Sequence, residues 1–476
     1  MNKKRIVLIF TVLTSLLILF GFIPFNIKAV KKTALNKNSP NLIIILADDL
    51  GYADVGFNGC KDIPTPNIDA ISDNGVKFTN GYVTFPVCGP SRAGLLTGRY
   101  QDRFGFTTNP TIDPENEKAG LPLEEEMISE ALQKANYNSA IIGKWHMGTH
   151  PIFHPLKRGW DYFFGFLSGG HNYFPEKLTL NDYSEVKWAY GWYSTRIMEN
   201  YNRIDINNYL TDELSDAAVK YIEKQSKLDQ QFMVYLSYNA PHGPLQATEK
   251  YLDRFPEINN EKRKTYAAMV SAMDDGIGRV LNTLKERNME ENTIVVFLSD
   301  NGGPIHKNAS KNDPLSGKKG DLFEGGVRVP FAMQWKGNIK KGMIYNKPIS
   351  SMDIMATICD LANVKTKNKL DGVNLIPFLK KEKKGVPHDV LFWRKWEQNA
   401  MAIRKGNFKL VSNRQMQTNF PKLYDLSDDI SEIKDIKESN IMDADLLLND
   451  WKEWNKENKD RYFPTLGNDK WWERNK

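Results

Sequence analysis

Four short apolar runs in this chain each lead into residues able to bind a cation or move a proton. Leu42 to Leu46 leads to Asp48-Asp49, and Ser139 to Ile142 leads to Gly143-Lys144-Trp145-His146. Phe232 to Tyr238 leads to Pro241-His242, and Ile294 to Leu298 leads to Asp300-Asn301. Asp48, Asp49, Asp300 and Asn301 offer oxygen ligands alone, which favours a hard divalent ion such as calcium or magnesium over zinc. Lys144, His146 and His242 add positive charge and proton donors around such an ion. A site of that composition suits a tetrahedral oxyanion ester.

Cys88 stands in the stretch PVCGPSRAGLLTGRY, residues 86 to 100, and is one of only three cysteines in 476 residues. Pro90 suits the first turn of a helix, so Cys88 falls at or just before a helix N-terminus, where the macrodipole favours an anion. These features alone describe an activated thiol. Cys60 and Cys359 are read either as a disulfide pair or as two small buried residues.

The elements that must carry these groups follow from periodicity. Leu42 to Leu46 is a continuous apolar segment of the kind that forms a strand buried on both faces. Thr65-Pro66 opens a helix, and Val76 to Val83 reads as a strand. Apolar residues at helical spacing in Met127 to Ala135, Leu214 to Ile222 and Met269 to Leu284 precede the strands at 139–142, 232–238 and 294–298. This alternation predicts an α/β fold: a large, mostly parallel central sheet covered by helices on both faces. The carboxyl ends of parallel strands share one edge, so the polar endings should meet there.

From about residue 346 the pattern changes. Asp353 to Leu361 reads as a helix, and 390–394, 401–404 and 407–411 read as short strands joined by turns. The expected organisation is a catalytic domain over 38–345 and a smaller C-terminal α+β domain, built on an antiparallel sheet, with a tail, over 346–476.

Charge excludes one function class. The formal net charge of +6 comes from Lys3, Lys4, Arg5, Lys28, Lys31 and Lys32; without them 58 basic residues face 58 acidic ones. A neutral body has no bulk footprint for nucleic acid. The same N-terminus, residues 1–32, has a basic start and an uncharged run from Ile6 to Ile27. It reads as a cleaved signal peptide or as an uncleaved membrane anchor through residues 6–27. Either implies an exported protein, periplasmic, secreted or membrane-anchored.

Cys88-Gly89-Pro90-Ser91-Arg92, followed by Leu96-Thr97-Gly98-Arg99, closely resembles the signature of the sulfatase family, C-x-P-S-R with a downstream T-G-R. Leu46-Ala47-Asp48-Asp49-Leu50-Gly51-Tyr52, Gly143-Lys144-Trp145-His146, Ser299-Asp300-Asn301-Gly302 and Glu324-Gly325-Gly326-Val327-Arg328 are similar to further family motifs, in the family's order. The likeness extends to Leu423-Tyr424-Asp425-Leu426. It implies an alkaline-phosphatase-like α/β fold and hydrolysis of sulfate esters, those of a sulfated polysaccharide or oligosaccharide.

The resemblance also implies roles. Cys88 becomes formylglycine through a formylglycine-generating or anaerobic sulfatase-maturing enzyme, and its hydrated aldehyde is the nucleophile. Asp48, Asp49, Asp300 and Asn301, with the modified Cys88, hold one calcium ion. Lys144 and Lys319 offset charge on the sulfate oxygens, with Lys318 as the alternative to Lys319. His242 protonates the departing alcohol, His146 strips the second hydroxyl, and Arg92 steadies the hydrate. His171 falls where related enzymes contact substrate. Trp188, Tyr190, Trp192 and Tyr193 either stack on sugar rings or pack an inserted subdomain. His150, His154, His306 and His388 carry no motif and read as surface or structural. Two alternatives stay open: a formylglycine-dependent phosphonate or phosphate ester hydrolase, and a non-catalytic sulfated-glycan-binding protein.

Overall fold

The computed structural model describes residues 39–412, 421–463 and 470–475. The expectations for residues 1–32 lie outside them. Among the described residues no helix is long and apolar enough to cross a membrane.

The apolar runs form the strands β1 (Asn41–Ala47), β2 (Asn138–Lys144), β3 (Phe232–Ser237) and β4 (Thr293–Ser299). Together with Tyr162–Phe166 they lie parallel in the order β4, β1, β3, β2, 162–166 at the heart of a ten-stranded sheet. Shorter strands, mostly antiparallel to their neighbours, extend both edges. The fold is thus the α/β architecture expected.

Side-chain alternation divides β1 between two cores. Ile43, Ile45 and Ala47 join the cluster containing Ile68, Leu214, Met269 and Val270, whereas Leu42, Ile44 and Leu46 join that containing Leu96, Ile128 and Ile354. The helices Pro66–Asp73, Leu210–Gln225 and Glu261–Glu286 therefore cover one face, and Cys88–Thr97, Ile128–Gln133 and Asp353–Leu361 cover the other. A strand with both faces apolar is stable only when both are covered.

Val76 to Val83 is not one strand. Val76–Phe78 belongs to the large sheet, while Gly81–Tyr82 pairs with Ile349–Ser350 in a separate ribbon. A turn at Thr79-Asn80, with Asn a favoured turn residue, redirects the chain between them. The helix Asp353–Leu361, placed by sequence with the smaller domain, buries Ile354, Met355 and Ile358 in the core of the large sheet.

The C-terminal sheet is antiparallel, with strands Val390–Lys395, Ala400–Lys405, Phe408–Ser412 and Lys422–Asp425 in sequential order. The last of these was read in sequence only as a motif. One face buries Met401, Ile403 and Leu410 against the helix Ile441–Asn455; the other packs Trp393 and Ala402 onto Tyr82 and Val327. Glu324 anchors that contact, taking hydrogen bonds from Tyr82 at 2.6 Å and from Lys409 at 2.8 Å, while Lys409 also pairs with Glu432 at 2.9 Å. The Glu-Gly-Gly motif thus links the two sheets.

His388 has a comparable task. Its Nε2 lies 2.7 Å from Oδ1 of Asp353, the first residue of the helix Asp353–Leu361. Burial opposes the charged imidazole, but Asp353 outweighs it and raises the pKa above 6.5. The stabilisation is complete below the unfolded-state value near 6.5 and is lost as pH rises through the folded value. Accordingly, His388→Gln should cost about 2 kcal/mol at about pH 5.5 and less at about pH 9, measured by urea unfolding.

Candidate active site

Register explains why the polar endings converge. Leu46 is level with Leu298 and with Ser237, and Ser237 is level with Gly143. Backbone bonds extend the ladder past the strands, Asp48 N–H to the carbonyl of Ala240 and Asp300 N–H to that of Ala47, each at 3.0 Å. Asp49 and His146 both turn into the left-handed region, with φ of 66° and 60°. Such strain in non-glycine residues persists only where the surroundings enforce it.

Oxygen atoms of Asp48, Asp49 and Asp300 lie within 4.8 Å of one another, all three residues being buried. Asn301 Nδ2 donates to Asp49 Oδ1 at 2.7 Å. Two oxygens remain orphaned: Asp48 Oδ1 and Asn301 Oδ1 are buried without a hydrogen-bond partner. Unsatisfied buried oxygens amid three carboxylates are what a hard cation would satisfy, so these residues fit a metal such as calcium. Burial and the neighbouring Asp48 raise Asp300 to about 6.

Cations brace the cluster. Lys144 Nζ reaches Asp48 Oδ2 at 2.5 Å, and Lys319 Nζ reaches Asp49 Oδ1 at 2.6 Å. Burial disfavours ionisation of Asp49, yet Lys319 and His242 hold it down at about 2. Arg92 is fully buried; its Nε and Nη2 donate to Asp300 Oδ2 at 3.0 and 2.8 Å, and Nη1 donates to Ser237 Oγ. Its direct contacts are therefore with the carboxylate cluster.

Cys88 begins the helix Cys88–Thr97, every residue of which is buried. The Gly89 N–H donates to Asn109 Oδ1 at 2.8 Å, so a loop asparagine caps the turn that presents the thiol. Lys319 Nζ donates to Cys88 Sγ at 3.2 Å, and the bond from Gly320 N–H to the Pro86 carbonyl at 2.8 Å holds the two segments together. Lys318 instead bonds Asp321 through its backbone N–H. The activated thiol expected from the helix terminus is not found: burial pushes Cys88 up to about 11, against Lys144 and Lys319. Desolvation of the thiolate outweighs both nearby cations. Cys60 and Cys359 are free as well.

His146 is buried with neither ring nitrogen hydrogen-bonded, its pKa held well below 6.5 by burial and by Lys144, Arg92 and Lys319. Gly169 makes room for it, since a Cβ there would lie 2.5 Å from His146 Nε2. His242 Nδ1 donates to the Gly243 carbonyl at 2.6 Å, which leaves Nε2 facing Asp49 Oδ2 at 3.7 Å. Burial and the lysines bring His242 down to about 3 despite Asp49. His171 is wholly buried against the Phe166 ring at 4.7 Å and does not line the cavity.

A cavity of about 70 Å³ brings Cys88, His146, His242 and Lys319 together with Asn109, Ile112, Gly169, Tyr190, Trp192 and Tyr193. The aromatic stretch divides: Trp188 and Tyr190 are 51% and 59% exposed, Trp192 is buried, and Tyr193 is half-buried. Sequence reasoning missed Asn109 and Ile112, which sit in a loop without periodicity.

Similarities to known proteins agree with this geometry. The sulfatase family model matches residues 40–364, and a model described as N-sulphoglucosamine sulphohydrolase, C-terminal, matches 318–455. An uncharacterized sulfatase, YdeN, of Escherichia coli K12 is 33% identical over 410 residues, 75% of this chain and 69% of the relative. The N-acetylgalactosamine-6-sulfatase of Mus musculus is 32% identical over 382 residues, 78% of this chain and 71% of the relative. The crystal structure of Ps i-CgsB superposes with a TM-score of 0.84 at 38% identity, covering 90% of this chain and 95% of that one; it has also been solved in complex with k-i-k-neocarrahexaose.

Proposed function

Since the chain belongs to the sulfatase family and is a sulfuric ester hydrolase, we propose that it removes sulfate from a sulfated polysaccharide or oligosaccharide, with position 88 converted to formylglycine beside one calcium ion. The observation that carries this reading is the meeting of Cys88 and Lys319 at one small cavity lined by aromatic rings, with the three-aspartate cluster directly beside them through Asp48 and Asp49. The carbohydrate complex of Ps i-CgsB supports a glycan as substrate.

Calcium bound by Asp48, Asp49, Asp300 and Asn301 would supply charge that draws a sulfate oxygen and polarises the nucleophile. Formylglycine at position 88 would supply, as its hydrate, one hydroxyl that is nucleophilic toward sulfur once deprotonated and a second whose deprotonation favours return to the aldehyde. Lys144 and Lys319 fix the ester's anionic oxygens, each already pinned by an aspartate and so positioned before substrate arrives. His242 gives a proton from Nε2 to the departing alcohol oxygen. Its imidazole is neutral at rest, and the negative charge of a bound sulfate ester favours its protonation. His146, neutral and without protein partners, accepts the proton of the second hydroxyl. Arg92 acts through Asp300 and holds the ligand cluster in shape.

The proposed setting is outside the cytoplasm, supported by the basic, apolar N-terminus, with a maturing enzyme as the partner that converts Cys88. Sulfate release from k-i-k-neocarrahexaose and from N-acetylgalactosamine-6-sulfate oligosaccharides, alongside matched aryl sulfate and aryl phosphonate esters, tests the assignment. Sulfate release from a glycan is expected, with aryl sulfate preferred to aryl phosphonate; the reverse preference would contradict it. With the cleaved glycan, Tyr190→Ala should raise KM about 3- to 10-fold and leave kcat nearly unchanged, because it removes ring stacking at the mouth and no reacting group.

A further inference from the structure

The two loops that wall the catalytic cavity touch one element, the short C-terminal turn Trp471–Asn475. On one side Trp192 lines the cavity, and its ring centroid lies 5.5 Å from that of Trp472. Behind it the buried Trp471 meets Tyr183 edge-on at 6.2 Å. On the other side Ile112 lines the cavity, and the next residue, buried Asp113, accepts from Arg474 Nη2 at 3.1 Å. Glu115 accepts from Arg474 Nη1, also at 3.1 Å. Ile112, Tyr183, Trp192 and Trp471 belong to one apolar cluster, and Trp472 packs on its margin.

We propose that this turn is a clamp that sets the spacing of the two walls and thereby selects for an extended sugar substrate. The inference rests on the glycan reading above. Lys144 and Cys88 lie on a buried strand and helix, and His146 comes two residues after that strand, whereas residues 105–127 hold no helix and only an isolated bridge from Gly120 to Gly148, and the aromatic wall is carried by 3-10 turns at Tyr183–Glu185 and Gly191–Ser194 with one bridge from Leu180 to Thr195. Backbone bonds such as Leu180 N–H to the Ser194 carbonyl at 2.9 Å and Leu121 N–H to that of Met147 at 2.9 Å tie each wall to its own surroundings, and the C-terminal turn is an element that contacts both walls. None of its residues lines the cavity, so it acts on substrate only through Trp192, Ile112 and their neighbours. Trp472 and Arg474 are positioning residues. Their loss should loosen the mouth and leave the reacting groups in place.

The test uses the full-length, matured enzyme with Trp472→Ala, Trp472→Phe and Arg474→Ala. Each is assayed on para-nitrophenyl sulfate and on the sulfated oligosaccharide the unaltered enzyme desulfates, k-i-k-neocarrahexaose being the first probe. For Trp472→Ala, KM for the oligosaccharide should rise about 5- to 20-fold while kcat on the aryl ester stays within about twofold. Trp472→Phe should restore most of the loss. Arg474→Ala removes ion pairs made by a half-exposed guanidinium; a shift of about 2- to 5-fold in the same direction is expected, even if Trp472→Ala prevents folding. Equal losses on both substrates, or no change on either, overturn the clamp. An unaltered enzyme that cleaves the aryl ester and none of the oligosaccharides overturns the glycan reading, and the clamp with it.

Discussion

Cys88→Ala is expected to leave the protein folded and to lower kcat by at least about 10⁴-fold, the scale of losing a nucleophile. Stability should barely change, because alanine is the better helix former and only one sulfur atom is removed. Among the described residues that sulfur is hydrogen-bonded by Lys319, which keeps Asp49 as its partner. Cys88→Ser should be as inactive in steady state, since a serine hydroxyl cannot collapse to an aldehyde and expel sulfate. Circular dichroism and thermal unfolding report the fold, and ion chromatography of released sulfate reports turnover. A Cys88→Ala variant retaining a tenth of the activity or more would rule out position 88 as the nucleophile.

The second large effect expected of the proposed calcium site is the loss that follows its chelation. Dialysis against a calcium chelator should reduce sulfate release by at least about 10³-fold and lower the melting temperature, and calcium should restore both. The structural reason lies in the two buried oxygens, Asp48 Oδ1 and Asn301 Oδ1, that no protein donor satisfies. A ligand bound only by the native state stabilises it by about 4 kcal/mol when its concentration is about a thousand times its dissociation constant, an effect visible by calorimetry without any assay of turnover. Restoration by zinc and not by calcium would contradict the all-oxygen ligand set.

The strand endings were legible because a strand buried on both faces must be continuously apolar, so a polar residue at its end stands out. Register then did the rest, bringing Asp48, Lys144 and Asp300 to one edge. Spacing before Glu-Gly-Gly selects Lys319 with Lys318 as the alternative, and the fold supplies the physical difference, since the Lys319 ammonium reaches Asp49 and Cys88 while Lys318 bonds Asp321 through its backbone. His171 misled for a related reason: Ser168-Gly169-Gly170-His171 does border the site, but through the space the glycines leave for His146 and Tyr193. At Cys88 the helix terminus is visible in sequence and burial is not, so the sequence shows the dipole and misses the desolvation that raises the thiol's pKa. Asn109 and Ile112 escaped notice since neither period nor composition marks a wall made of loops; the C-terminal tail stands out in sequence by its tryptophans and lysines, but nothing local ties it to the site.

Turnover by this enzyme depends most directly on the state of position 88. Preparations matured to different extents can be compared by mass spectrometry of the peptide carrying that residue and by their specific rates of sulfate release. The rate should rise in proportion to the formylglycine fraction and extrapolate to zero where every molecule keeps its thiol. Undiminished activity in fully unconverted protein would contradict it.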